Sequence, residues 1–193
     1  TVGGSVYDAP CPDGKPLFPK EHPSVTGGAP AQSNLFKGSF SVTALDEMQE
    51  RMQSFTDDDG NLLALAPDTI VIPNSGPLKR AVLEVVGSEF DPNSANNAVN
   101  FQMGLWNVIV WSYLPKTIGG EPYFLMLDSK FKDDYMCLPF VDRVPLTVRS
   151  DIDPNTDANV FKGRARFGAG FNNWRCIALC GAGVDGTELT AGA

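Results

Sequence analysis

The order in which two periodicities occur limits the fold of this chain more than any other feature. Apolar residues at helical spacing occur in the first half, and strand-like alternation takes over from Trp106 onward. Helices and strands segregated in this way do not build a run of alternating βαβ units, so an α+β architecture with a mixed or antiparallel sheet is expected.

Thr43, followed by Asp46, predicts a helix start, and Leu45, Met48, Met52 and Phe55 recur on one face of the turns that follow. Asp57-Asp58-Asp59-Gly60 predicts a turn, and Ile70-Val71-Ile72 a short apolar strand ending at Pro73. Pro77 is expected to open a second helix with Leu78, Ala81, Val82, Val85 and Val86 inward and Gly87 at its end. Residues 88–104, rich in Asn, read as an exposed loop. Strands are expected at 108–114, 123–127, 136–141, 144–148, 160–167 and 174–179. Residues 1–40 hold much of the Pro and Gly and predict an extended arm, with Leu17, Phe18, Leu35, Phe36 and Phe40 as docking anchors.

Composition narrows the function. With 42% hydrophobic and 20% charged residues the chain is globular, and 193 residues suffice to bury a core. A net charge of −8, spread along the chain, argues against nonspecific binding to nucleic acid or anionic membrane. The apolar run at 106–114 is too short to span a bilayer. No secretory signal is read at the start, and Thr1 in place of Met leads to the expectation of a cut-down or processed chain. Four dispersed cysteines do not make a disulfide scaffold and are expected as reduced thiols of a cytoplasmic product.

No catalytic, metal or cofactor residue is assigned. The single His22 sits in the arm without a nucleophile to serve. Cys176 and Cys180 read as neighbours on one strand face, about 13 Å apart and without further zinc ligands. The acidic turn lacks the first and last carboxylates of a calcium loop, since Phe55 and Ala66 stand there. Gly181-Ala182-Gly183-Val184-Asp185-Gly186 has dinucleotide-binding spacing but no following helix to meet a pyrophosphate. One constellation stays open: Lys162, Arg164 and Arg166 alternate with Phe161, Ala165 and Phe167, which puts three cations on one face of a strand. That face is a solvated surface, a subunit contact or a contact with DNA phosphates.

A further set of segments carries a resemblance. Asp13-Gly14-Lys15-Pro16-Leu17-Phe18, His22-Pro23, Gly27-Gly28 and Asn34-Leu35 are followed by the helix ending in Phe55 and the acidic turn at Gly60. Then come Leu65-Ala66-Pro67, Ile70-Val71-Ile72-Pro73, Val108-Ile109-Val110 with Tyr113-Leu114, and Tyr123-Phe124-Leu125. Arg164-Ala165-Arg166-Phe167-Gly168 and Asn173-Trp174-Arg175 close the series. In this order, over residues 13–180, they resemble the Mu-like bacteriophage (prophage) major head subunit, or major capsid protein, family.

The resemblance implies a non-enzymatic shell protein with the Hong Kong 97-type capsid fold, truncated so that the spine helix is missing. It further implies an arm at 1–40, an axial-type α/β domain at 41–135 and a β-rich segment at 136–193 returning to the peripheral domain. The implied partners are copies of the chain in pentamers and hexamers, with portal, scaffold and packaged DNA, and no membrane. Contacts between copies are expected at the arm and at Ser88–Asn100, in a virion assembled in the host cytoplasm. A decoration or tail component, or a hydrolase using carboxylates among Asp57, Asp58, Asp59, Asp133 and Asp134, are the alternatives.

Overall fold

A computed structural model describes residues 10–90, 99–152 and 155–184 of the chain. In chain order the elements are β1 (Leu35–Phe36), α1 (Val42–Gln53), β2 (Thr69–Pro73), α2 (Gly76–Gly87), β3 (Asn107–Trp111) and β4 (Tyr123–Leu127). They continue with α3 (Ser129–Asp134), β5 (Phe140–Ile152), β6 (Asn159–Ala169), a 3-10 turn at Trp174–Cys176 and β7 (Ile177–Gly181). Five strands form a sheet in the order β1-β7-β4-β2-β3, and β5 and β6 form a separate two-stranded ribbon.

The sheet is mixed, as expected: β2 runs parallel to β3 and antiparallel to β4, while β7 runs antiparallel to β4 and parallel to β1. The short apolar runs at β2 and β7 are buried at every residue, consistent with strands enclosed on both faces. Phe124, Met126, Ile70, Ile72 and Leu179 are fully buried at the centre. Each contributes roughly 1.5–3 kcal/mol through removal of its side chain from water.

The helices pack the stripes that their spacing predicts. Leu45, Met48 and Met52 of α1 and Leu78, Val82, Val85 and Val86 of α2 all enter the core. The start of α1 lies two residues before the expected Thr43. Ser41, in extended backbone, accepts the Ala44 N–H at 3.1 Å and so satisfies an otherwise orphaned donor. Asp46 takes no part in that cap and accepts from the Gln102 side chain at 2.5 Å.

Helix α3 has no counterpart in the sequence reading. Phe131 is its one buried apolar residue, so no stripe announces it. Its cap does. Asp128, almost fully buried, accepts the Phe131 N–H at 2.8 Å and the Ala66 N–H at 2.7 Å, tying α3 to the loop before β2.

Two further expectations gain detail and a third is corrected. The described part of the arm packs on its own chain: Phe18 and Phe36 are buried, and Leu17, Leu35 and Phe40 pack against the same core. His22 is buried too, stacked on Trp174 with ring centroids 4.0 Å apart and its Nδ1 2.5 Å from Asp13. The interior supplies what a loop residue would otherwise take from water.

The loop at Ser88–Asn100, whose residues 91–98 lie outside the described set, is closed at its base. Phe90 bridges to Val99, and buried Asn100 donates to the Val85 and Ser88 carbonyls.

Cys176 lies in the 3-10 turn before β7, not on a strand face with Cys180. Its thiol donates to the Asn173 carbonyl at 3.5 Å, and all four cysteines are free and buried.

Candidate assembly surface

The separate strands expected at 136–141 and 144–148 are replaced by one long strand, β5, paired antiparallel with β6. Pro145 explains the misreading, because a proline interior to a strand normally marks its end. The pair absorbs it with register shifts between Asp142 and Val144 and between Val144 and Thr147.

Both strands are exposed along almost their whole length. The ribbon is anchored at its root, where the Gly170 N–H donates to Pro139 at 3.2 Å and the Asn172 N–H to Cys137 at 2.7 Å.

Register assigns side chains to faces, because directly paired residues of an antiparallel ladder lie on the same side. Lys162 is opposite Arg149, Arg164 opposite Thr147 and Arg166 opposite Val144. Lys162, Arg164 and Arg166 therefore share one face, as the alternation predicts, and Arg149 joins them. Arg149 escaped the sequence reading because only the pairing reveals it. One contact to Asp151, at 3.4 Å from Lys162 with both side chains about two-thirds exposed, does little to neutralise the row.

The other face is mostly apolar, with Asp142 opposite Phe167 near its root. Phe161 pairs with Ser150, Val148 with Gly163 and Ile152 with Asn159, while Phe140 stacks on Phe167 at 5.7 Å. Phe161 is 72% exposed, Phe167 69% and Phe140 65%. Such a two-stranded ribbon is marginal in water on its own. An apolar face of this kind marks a contact surface.

A second exposed apolar surface follows β3, which among the described residues pairs only with β2 and so forms an edge of the sheet. Ile109, Val110 and Trp111 are 41–50% exposed, and Phe101, Leu105 and Tyr113 beside them are more so. No charged residue or proline interrupts Asn107–Trp111, the usual protection of an open edge.

The carboxylates weighed for a hydrolase are dispersed. Asp57 closes its own turn, accepting the Asp59 and Asn61 N–H groups at 2.9 and 2.8 Å, and its pKa is held below the usual range by the bonds from Asn61. Asp58 pairs with Arg175 at 3.0 Å, while Asp133 and Asp134 are on α3 and Asp133 pairs with the neighbouring Lys132. A cleft of about 310 Å³ between β1 and α1 holds one carboxylate, Glu47, beside Arg51 and Lys37. Among the described residues no group of three or more His, Cys, Asp or Glu is placed to hold a metal ion, and no helix is long and apolar enough to cross a membrane.

Comparison with known proteins places this geometry. No curated protein matches the chain. The phage capsid protein family matches residues 1–180, nearly all of it, and that family's members are structural proteins of the virion. The exposed ribbon and the open sheet edge are thus surfaces of a protein that belongs to the phage capsid protein family.

Proposed function

We propose that this chain is the shell-forming major capsid subunit of a tailed phage or prophage, of the Mu-like type. In this reading its mixed α+β body belongs to the Hong Kong 97 architecture, with the spine helix contributed by a segment outside this sequence. Copies associate head to tail into pentamers and hexamers and close an icosahedral shell around DNA. Portal and scaffold proteins would be further partners.

The observation that carries the proposal is the ribbon. An 11- to 13-residue pair of strands with an apolar face on one side and a basic row on the other is built for contact outside its own chain. The basic face, Lys162, Arg164 and Arg166 with Arg149, then meets a neighbouring subunit or the packaged phosphates.

Negative-stain electron microscopy with sedimentation velocity, on the purified protein, tests the reading. Rings of five or six copies or closed shells are expected. A persistent monomer across a wide concentration range would refute it.

A further inference from the structure

We propose that Cys137 and Cys176 form a disulfide across the root of the β5–β6 ribbon when the protein meets a peroxide, and that the bond locks the chain entering the ribbon to the chain leaving it.

The backbone brings the two residues together from opposite ends of the ribbon. Cys137 precedes β5 and Cys176 follows β6, and Asn173 is bonded to both: its N–H donates to the Cys137 carbonyl at 3.5 Å, and its own carbonyl accepts from the Cys176 thiol at 3.5 Å. The Asn172 N–H, 2.7 Å from the same Cys137 carbonyl, holds this neck closed. Each thiol has only a carbonyl as partner, Phe131 at 3.6 Å for Cys137 and Asn173 for Cys176. Thiols are weak donors, so turning toward one another sacrifices little.

The pair is chemically asymmetric. The Cys176 thiol beside it holds Cys137 below the ordinary thiol range, against the burial that opposes it, whereas Cys137 and burial together push Cys176 up. Cys137 is therefore the attacking group and Cys176 the resolving one. The other two cysteines have no such neighbour: burial, with Asp13 beside Cys11 and Glu47 beside Cys180, pushes each up to about 11.

The Cys137 thiolate attacks one oxygen of hydrogen peroxide, the O–O bond breaks, and the departing hydroxide takes up the thiol proton as water. The resulting sulfenic acid is attacked by the Cys176 sulfur, and the sulfenic oxygen leaves as a second water. Two electrons pass from the two sulfurs to the peroxide, which two thiols convert to one disulfide and two waters. Both side chains are closed off from solvent in the folded chain, so the reagent enters through local opening of the single 3-10 turn at Trp174–Cys176. The chemistry does not depend on the capsid reading, which adds only an occasion for it, because a particle leaving a cell passes from a reducing to an oxidising medium.

The test uses the purified full chain, reduced, desalted and treated with hydrogen peroxide, then denatured, alkylated with iodoacetamide and digested for mass spectrometry. A peptide joining Cys137 to Cys176, two hydrogens lighter than its parts, is expected, with Cys11 and Cys180 alkylated. Alkylation of all four thiols as in the untreated chain, sulfinic acid at either member of the pair, or a bond to Cys11 or Cys180 overturns the proposal.

The bond encloses the whole ribbon, so the oxidised chain is expected to melt roughly 5–15 °C higher, a gain that a thiol reductant reverses. A bond formed without that rise overturns the lock. Cys176→Ala is expected to lose both effects and Cys11→Ala to keep both; where Cys176→Ala does not fold, the peptide map of the parent decides. Sedimentation of the same samples reports on the capsid reading separately.

Discussion

Phe161→Ser separates assembly from folding. The ring is 72% exposed in the isolated chain and lies opposite Ser150 on the ribbon. A buried aromatic covers roughly 150–250 Å². About 140 Å² of Phe161 is thus available to a neighbour, and covering half to all of it stabilises the contact by roughly 2–3 kcal/mol at 25 cal/mol per Å². A loss of about 2 kcal/mol weakens association about 30-fold. The fold itself should lose no more than about 0.5 kcal/mol, because substitutions at exposed positions away from special features usually stay within that range. Sedimentation velocity over a hundredfold concentration range reads the first effect, and a urea melt the second. Unchanged sedimentation would show that nothing covers this face. A large stability loss would show that Phe161 supports its own chain, and either result refutes the reasoning.

Asp128→Ala should cost about 2–4 kcal/mol in a urea melt, from a lost cap and an unpaired Ala66 N–H. Asp128→Asn, which retains one acceptor oxygen, should recover about half of it. Acidification should loosen the arm: burial lowers the His22 pKa from 6.5, although the bond to Asp13 opposes it, so the folded chain resists the proton that the unfolded chain accepts. Stability from this residue is present above pH 6.5 and is lost as pH falls, by at most about 1.3 kcal/mol between pH 7 and 5.5. Thermal melts of the parent and His22→Asn across that interval should differ in slope, and equal slopes would place the titration elsewhere. Arg164→Glu with Arg166→Glu should leave melting within about 2 °C yet reduce association and its salt dependence, checked by sedimentation at low and high ionic strength.

The elements that were legible in the sequence are those whose information is local. Leu45, Met48 and Met52 declare α1 by their spacing, and Ile70-Val71-Ile72 declares β2 by its apolar run. Where the determinant is a distant partner, the sequence is silent: Leu35 pairs with Leu179, and His22 is buried by Trp174. Helix α3 shows a third case, in which one capping carboxylate replaces a stripe. The candidate surface divides the same way. Alternation alone put Lys162, Arg164 and Arg166 on one face, but Arg149, the bulges around Pro145 and the exposure of both faces required the register. The β3 segment read as a strand, yet its place at the sheet edge is a property of strand order.

The root of the ribbon gives it mechanical leverage. Two backbone hydrogen bonds close a narrow neck at Pro139–Gly170 and Cys137–Asn172, while 11 residues of β6 extend beyond it. At about 3.4 Å per residue the strand reaches some 37 Å, so a tilt of about 10° at the neck carries the tip through about 6 Å. A small rotation at this one pivot therefore repositions the far end of the ribbon by several ångströms with no rearrangement of the five-stranded sheet.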